Sequence, residues 1–416
     1  MASAHLIAQQ QKAIRKYLAQ YAEQEVTSLA SFPVALNFQH VLVIPAFQET
    51  NTFIERFINS ALSRQQCLVI VVINQPDSDF GRENTPAQQL LAQQLTALGD
   101  VAWQQKNLRL VKPNNSASSA ILLVDRYSQP LPPEQGVGLA RKIGADIAVA
   151  LYQQRVVNST WIHSTDADAA LPDNYFTGHL PANLTKKNVV ATCCNFYHHS
   201  EQQAIHQANA LYESALRYYV AGLRYANSPY AYFTIGSILS FDVLAYCQAR
   251  GFPKRSAGED FYLLNKLAKL GSIEFLPDIT IKLDARPSQR VPFGTGPAVK
   301  SIMELTTPTK EYQYYNPNIF LELKGCLSAF HCLWQHREQS EFWLNALTPI
   351  TQQALKNIGL LSFIEKQQRA SQVQFDKQLA VWFDSFKTLK FIHALRDLGL
   401  ENMPLVRALE IAPFKI

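Results

Sequence analysis

The stretch Val156–Phe176 reads VVNSTWIHSTDADAALPDNYF. Its first part is β-branched and aromatic, as in a buried strand, and Asp166 and Asp168 follow that part before a turn at residues 172–174. Residues i and i+2 of an extended segment point to the same side, so these carboxylates can offer hard oxygen ligands to one divalent cation. The pattern predicts a site that handles a diphosphate. A simpler reading is that Asp168 or Asp173 only caps the next helix.

The length and composition indicate an ordinary globular protein of the cytoplasm. The 416 residues favour two or so domains, and 47% hydrophobic with 17% charged residues excludes a disordered chain. A net charge of +5 is too small to indicate a nucleic-acid partner. The longest apolar run, residues 68–73, is too short to form a transmembrane segment, and the N-terminus lacks the apolar core of a signal peptide. The six cysteines form no Cys-x-x-Cys pair, which favours reduced, buried thiols.

Two short apolar runs predict the strands of a parallel sheet. Residues 41–44 and 68–73 are continuous rather than alternating in hydrophobicity, and a helix with Ile54, Ile58 and Leu62 on one face lies between them. Such a strand-helix-strand pattern is typical of an α/β sheet covered on both faces. Ligands of open α/β sheets bind beyond the carboxyl ends of the strands. The segments that follow these two strands and the acidic pair should therefore meet in one crevice.

The middle of the chain predicts one long connection and one anion-binding helix. Residues 79–135 are rich in Gln, Asn, Ser and Pro, and we interpret them as a surface connection with one helix near 86–98. A helix then opens near Gly136, with Arg141 and Lys142 close to its start. A helix N-terminus with two cations favours an anion. Alternatively, both side chains are solvated surface charges.

The next segments carry a second acidic pair and a basic loop. Glu259 and Asp260 start a helix, and strands are predicted at residues 272–276 and 280–283. The loop that follows contains Arg286 and Arg290 ahead of a Gly-Thr-Gly sequence, so two guanidinium groups could close over a bound diphosphate. A plain basic surface loop is the alternative reading. Asp284 is a candidate third metal ligand.

The two ends of the chain are expected to be helical. We predict an N-terminal helical extension over residues 1–37, an α/β domain over residues 38–300 and a helical domain over residues 301–416. The last domain is a candidate for acceptor binding or for a homodimer contact. Its amphipathic segment near residues 377–396 could instead touch a membrane surface, although acidic residues interrupt its basic charge.

Residues 38–300 resemble the family 2 glycosyltransferases, enzymes of the GT-A fold that transfer a sugar from a nucleotide donor. Pro45 and Glu49 match a Pro-x-x-x-Glu loop after the first strand. Residues 136–142 match a Gly-x-x-x-Ala-Arg-Asn helix, with lysine in place of the asparagine. The acidic pair described first matches the metal-binding Asp-x-Asp. Asn74 stands where the family has an Asp-Asp pair, and Asp77 or Asp79 is a candidate replacement for the missing acids.

The resemblance implies a Rossmann-like, mostly parallel sheet flanked by helices, and a metal-dependent, inverting hexosyltransferase. The metal, Mn²⁺ or Mg²⁺, would be bound by Asp166 and Asp168, and Asp260 would be the catalytic base with Glu259 beside it. The implied donor-binding residues are Pro45, Ala46, Glu49, Asn74, Gly138, Arg141, Lys142, Ala167, Arg286 and Arg290. UDP is expected as the carrier before GDP, and the acceptor is unknown.

Two other classes of protein are compatible with parts of the pattern. A sugar nucleotidyltransferase would carry a glycine-rich, basic phosphate loop after the first strand, and residues 45–49 are not such a loop. A non-catalytic binder of nucleotide sugars would keep the fold without needing Asp260. In that case the acids at 259–260 would only favour the start of their helix.

Overall fold

The structure of the protein, a computed structural model, describes residues 2–116, 118–179, 184, 188–286 and 294–416, with side chains from residue 8 onward. The chain divides into two units that interleave in sequence. The first comprises Met1–Glu201 and Thr234–Pro297, and the second comprises Gln202–Phe233 and Ala298–Ile416. The domain boundaries expected from the sequence remain a prediction.

One ten-stranded sheet, counted over the described residues, forms the centre of the first unit. Its strands are β1 (His40–Ala46), β2 (Cys67–Pro76), β3 (Gly99–Gln105), β4 (Leu108–Pro113), β5 (Ala120–Leu131), β6 (Trp161–Ser164), β7 (Ala169–Ala170), β8 (Val189–His199), β9 (Leu239–Asp242) and β10 (Ser272–Asp284). Their order across the sheet is β3-β4-β5-β2-β1-β6-β9-β8-β10-β7.

Most strands of this sheet run in one direction. β5, β2, β1 and β6 pair in parallel, and so do β8 and β10. β9 is antiparallel to both β6 and β8, so β8 has the direction of β6. β4 and β7 also run in the reverse direction. The expectation of a mixed α/β protein with a large, mostly parallel sheet is confirmed.

Helices flank the sheet on the faces that the apolar strands present. The first eight helices of the chain are α1 (Ala2–Gln20), α2 (Thr52–Ile58), α3 (Asp79–Glu83), α4 (Thr85–Thr96), α5 (Gly136–Gln153), α6 (Gln203–Tyr225), α7 (Val243–Gln248) and α8 (Glu259–Leu267), of which α6 belongs to the second unit. α5 packs closely on β1 because Gly144 has no side chain. A Cβ there would lie 2.4 Å from Val43 Cγ1.

The two strands predicted from apolar runs are β1 and β2, and Val41–Ile44 and Leu68–Ile73 are buried along their whole length. The helix between them is shorter than predicted. α2 ends at Ile58, and Leu62 lies in a separate 3-10 turn, where Ser60 Oγ accepts a hydrogen bond from the Leu62 amide. The hydroxyl gives the backbone an alternative to continuing the helix.

The prediction that residues 79–135 form a surface connection is wrong. α4 is the expected helix, but β3, β4 and β5 follow it. β5 lies beside β2 in the middle of the sheet, and Ala120–Val124 is buried. The edge strand β3 is mostly exposed, whereas Leu108, Leu110 and Val111 of β4 are buried, so the polar composition of the segment hides two short apolar runs, in β4 and β5. The two strands predicted at 272–276 and 280–283 are one strand, β10, with an irregularity between Leu276 and Thr280.

The second unit is mostly helical in its described residues. Besides α6 it contains α9 (Thr295–Met303, which starts in the first unit), α10 (Pro308–Glu311), α11 (Asn318–Ala329), α12 (Ser340–Asn345), α13 (Pro349–Asn357), α14 (Leu360–Gln367), α15 (Gln372–Trp382), α16 (Ser385–Asp397) and α17 (Leu405–Ile411), with a ribbon of β11 (Gln313–Tyr314) and β12 (Met403–Pro404). Tyr218 of α6 is buried in the same hydrophobic core as Phe320, Phe375 and Phe391. Of the helices that the structure describes, none has the length and apolar character needed to cross a bilayer.

Candidate active site

Four segments converge at one edge of the sheet, beyond the carboxyl ends of its parallel strands. β1 pairs with β6 so that Val43 lies opposite Ser164, and the segments after both strands leave at the same edge. Residues 284–286 leave the end of β10 at this edge too. β9 runs the other way, so residues 236–237 enter the sheet there. The crevice expected from the sequence therefore has backbone from four strands around it.

Arg141 is the centre of the polar network at this edge. Its Nη2 lies 2.6 Å from Asp166 Oδ1, and its Nε lies 2.8 Å from Glu259 Oε1. Its Nη1 donates to Ser164 Oγ at 3.0 Å and to the carbonyl of Thr165 at 3.5 Å. Only 2% of the residue is exposed. One buried cation thus connects the Asp-x-Asp segment to the acidic start of α8.

The turn before β9 completes this network. Ser237 Oγ donates to Asp166 Oδ2 at 2.5 Å, and Thr165 Oγ1 donates to the Ser237 carbonyl at 2.7 Å. Gly236 makes room for the arginine, because a Cβ at this position would lie 2.3 Å from Arg141 Nη2. The sequence analysis assigned no site role to Ser237 or Thr165. Gly236 and Ser237 lie in a turn-like stretch of the sequence, but nothing there indicates which carboxylate the serine faces.

Asp260 is held in a setting that favours its protonated form. Its carboxyl is enclosed by protein although the residue keeps some exposure, and Oδ1 accepts a hydrogen bond from the Phe261 amide at 2.6 Å. Burial and the neighbouring Glu259 raise the pKa of Asp260 to about 7, against the lowering effects of that amide and Arg141. The start of α8 favours the ionised form through the Phe261 amide, but burial and Glu259 outweigh that effect.

A second cluster of charged side chains lies at this edge of the sheet, in addition to the network around Arg141. Arg286 forms an ion pair with Glu49, and Arg56 pairs with Asp284 at 2.9 Å. Burial works to lower the pKa of Arg286, but Glu49, Asp168 and Asp284 raise it, and the net shift is upward. These five side chains thus form one charged cluster, with Asp284 engaged by an arginine. Arg290, the other arginine of the predicted basic loop, lies outside the described residues.

Lys142 does not join this edge of the sheet. Its Nζ lies 2.7 Å from Asp146 Oδ2 and 2.9 Å from Tyr17 Oη, and the residue is 4% exposed. Asp146 also accepts hydrogen bonds from Tyr246 Oη and from the amide of Glu23. The lysine therefore ties α5 to the N-terminal helix. The predicted pair of donor-binding cations is separated into two internal clusters.

The predicted base-binding residues follow β1 and β2. Pro45 and Ala46 are the last two residues of β1, and Asn74 lies near the end of β2, opposite Arg126 of β5. Asn74 is 6% exposed, and its Oδ1 has no hydrogen-bond partner among the described residues. Asp77 instead pairs with Arg82 at 3.1 Å. The asparagine thus keeps a buried acceptor at the mouth of the crevice.

The remaining predicted site residues are Gly138 and Ala167. Gly138 donates its amide to the carbonyl of Arg255 at 2.9 Å and allows the start of α5 to approach the connection between α7 and α8. Ala167 is buried between the two aspartates. Neither residue has a polar side chain, so each can contribute only its backbone groups and its small size.

The acids at this edge suit a cation that shares its ligands with a substrate. Within the described ranges, no three His, Cys, Asp or Glu side chains are grouped to hold a metal ion. Magnesium-like ions are commonly bound by one or two carboxylates together with substrate phosphates. Asp166 and Asp168 supply hard oxygens of that type, and Asp166 retains a lone pair on each oxygen beyond its hydrogen bonds. The donor set therefore fits Mn²⁺ or Mg²⁺ with a phosphate ligand.

Comparisons with known proteins give structural neighbours only. No protein-family model matches the chain, and no curated protein matches it in sequence. One structural neighbour is the mannosyltransferase PcManGT from Pyrobaculum calidifontis in complex with GDP-Man and Mn²⁺, at 14% identity, covering 93% of this chain and 97% of that one, with a TM-score of 0.34. Another is S. aureus TarS 1–349 in complex with UDP, at 11% identity, covering 84% and 91%, with a TM-score of 0.37. Such TM-scores are too low to carry an argument about this chain.

Proposed function

We propose that this protein is a nucleotide-sugar-dependent glycosyltransferase of the hexosyltransferase type, with a GT-A fold. The observation that carries the proposal is the joining of two acidic motifs by Arg141, which contacts Asp166 at 2.6 Å and Glu259 at 2.8 Å. Carboxylates for a cation therefore lie beside Asp260, whose pKa is about 7. Transfer from a nucleotide diphosphate needs both charge stabilisation at the leaving group and a base for the acceptor.

The donor would bind along the ends of β1, β2 and β6. Asp168 and Asp166 would hold Mn²⁺ or Mg²⁺ together with the diphosphate, and the bound ion would neutralise charge on that leaving group. Arg286 would exchange its contact with Glu49 for a phosphate oxygen. Asn74 Oδ1 is a buried acceptor for an N–H group of the base, and uracil and guanine both carry one. UDP is placed before GDP as the carrier because of the family resemblance alone.

Asp260 would act as the base toward the acceptor. Its carboxylate takes the proton of the acceptor hydroxyl while that oxygen attacks the anomeric carbon. The bond from the anomeric carbon to the donor phosphate breaks on the opposite face, and the diphosphate leaves with the electron pair. One displacement of this kind inverts the anomeric centre.

A screen of nucleotide sugars tests the proposed function. The protein is mixed with UDP- and GDP-sugars, with and without Mn²⁺ or Mg²⁺, and its melting temperature and the slow hydrolysis of each donor are recorded. We expect one donor to raise the melting temperature only with metal and to be hydrolysed slowly. Stabilisation without hydrolysis or transfer to any hydroxyl would favour a non-catalytic binder. No response to any nucleotide would contradict the proposal.

Replacing Asp168 with alanine is expected to remove metal-dependent nucleotide binding without unfolding the protein. Asp168 supplies hard oxygens beside Arg286, whereas the exposed Asp173, five residues on, belongs to the following turn. Calorimetric titration of UDP or GDP with Mn²⁺ measures the effect. Asp173→Ala is the matched control and should bind like the wild type. Equal affinity in Asp168→Ala and the wild type would refute the assignment.

A further inference from the structure

All three side-chain nitrogens of Arg141 already donate to oxygens of the protein. Its Nε, Nη1 and Nη2 contact Glu259, Ser164 and Asp166 at 2.8, 3.0 and 2.6 Å. The residue is 2% exposed, and Gly236 packs so tightly on the guanidinium that no Cβ fits there. A phosphate would have to break two ion pairs and enter this space to reach the group. Arg141 is therefore poorly placed to bind the donor directly.

We propose that Arg141 is a positioning residue, which fixes Asp166 and Glu259 around one guanidinium and so sets the place of Asp260 relative to the Asp-x-Asp segment. This deepens the proposed function and rests on it for its catalytic part. Guanidinium is suited to the role because its planar N–H groups hold two carboxylates at fixed angles. A lysine would supply the charge but not the geometry.

The balance of charge supports the same role. Burial works to lower the pKa of Arg141, but three carboxylates, those of Asp166, Glu259 and Asp260, raise it and so stabilise the charged form. Without the arginine, the buried carboxylate of Glu259 and the partly buried carboxylates of Asp166 and Asp260 would repel one another. Ser237 holds the second oxygen of Asp166, so the carboxylate cannot rotate to relieve that repulsion. The arrangement around the acids thus depends on this one cation.

The first test separates binding from turnover. We expect Arg141→Gln to lose at least ~10²-fold in kcat, as for a displaced base, and a smaller factor in its affinity for UDP or GDP with Mn²⁺, because Asp168 would still bind the ion. Arg141→Lys should recover only part of kcat. Arg109→Gln, on the remote strand β4, is the matched control and should change neither value. A large loss of nucleotide affinity with kcat retained would overturn the proposal and make Arg141 a donor ligand.

The second test needs no substrate. Glu259→Gln should lower the melting temperature in the wild-type background, because it leaves Arg141 short of a partner. In the Arg141→Gln background the same change should raise the melting temperature, because it removes an uncompensated buried acid. An equal effect in both backgrounds would overturn the positioning role. If Arg141→Gln does not fold, the pair of measurements is made with Arg141→Lys, and a smaller loss from Glu259→Gln than in the wild type is then expected.

The two tests separate this inference from the proposed function. If the protein transfers no sugar but the effect of Glu259→Gln on the melting temperature is reversed, the positioning role of Arg141 is supported and the glycosyltransferase assignment is rejected. If the protein transfers sugar but this effect is not reversed, the glycosyltransferase assignment is supported and the positioning role is rejected.

Discussion

Asp260→Asn is expected to lose ~10²- to 10⁴-fold in transfer rate, the usual contribution of a general base, while nucleotide-sugar affinity stays near that of the wild type. Asparagine keeps the shape of the side chain and can still accept the hydrogen bond from the Phe261 amide. It cannot take a proton from the acceptor. Single-turnover transfer and donor titration on the same preparation separate the two effects. Transfer within a few-fold of the wild type would make Asp260 a helix-start residue only.

The same side chain predicts how activity depends on pH. Burial and Glu259 raise the pKa of Asp260 to about 7, so the carboxyl is protonated and inactive as a base below that pH. The transfer rate of the free enzyme should therefore rise as the pH increases through about 7 and level off above it. A transfer rate that does not change between about pH 5 and about pH 8, from about two units below that pKa to about one unit above it, would contradict the assignment of the base.

Asp260→Asn is also expected to stabilise the fold at high pH. The folded pKa lies above the ordinary value, so the protonated form favours the fold, and this advantage disappears as the pH rises through about 7. Above that pH the fold contains an ionised carboxylate beside Glu259. After a discount for partial exposure, the gain in unfolding free energy from asparagine should be ~2 kcal/mol larger at pH 8 than at pH 5. Denaturant titrations at the two pH values measure the difference, with Asp173→Asn as the control.

Asp146→Ala is expected to cost ~3–5 kcal/mol of stability, the usual effect of removing one partner of a buried ion pair. Asp146 is 0% exposed and accepts hydrogen bonds from Tyr17, Lys142, Tyr246 and the Glu23 amide. The alanine variant leaves the buried Lys142 ammonium with Glu23 Oε1 at 3.8 Å as its nearest acid. Urea unfolding should show the loss, and hydrogen exchange should show it first in residues 8–20 of α1.

Two matched variants sharpen this prediction. Asp77→Ala removes an exposed acid that pairs with Arg82 at 3.1 Å, and surface pairs contribute only ~0–1 kcal/mol. The double variant Lys142→Met with Asp146→Leu removes both buried charges and should recover part of the stability, but not all of it, because Tyr17, Tyr246 and the Glu23 amide lose their acceptor. A loss below ~1 kcal/mol in Asp146→Ala would show that this cluster does not hold α1 in place.

The sequence predicted the parts of the fold whose signal is local. β1, β2 and α5 are marked by apolar residues at the spacing of their own element, and the structure places them where these patterns indicate. The meeting of the Asp-x-Asp segment with the sheet edge follows from strand direction alone. The edge strand β3 lacks this signal because most of its side chains face water, and the buried residues of β4 form too short a run to be distinguished from a loop.

The fate of Arg141 and Lys142 could not be read from the sequence. Adjacent residues of a helix point about 100° apart, so the two cations face different surroundings. The sequence does not show what those surroundings are. Their partners lie far along the chain, in α8 for the arginine and in α1 for the lysine. The charges near the start of one helix do not indicate which distant residues will be their partners. The raised pKa of Asp260 could not be read from the sequence for the same reason, since burial is a property of the assembled fold.

The interleaving of the two units has a consequence for synthesis of the chain. β9 separates β6 from β8 in the sheet, yet its residues follow the whole of α6, and α8 and β10 follow later still. A nascent chain that has reached residue 233 thus holds β6 and β8 without the strand between them, and their open edges can pair with the wrong partner. The usual order, in which an N-terminal domain folds before the next one is made, does not apply. The ribosome must therefore deliver the chain as far as the end of β10, at Asp284, before the sheet that frames the crevice is complete.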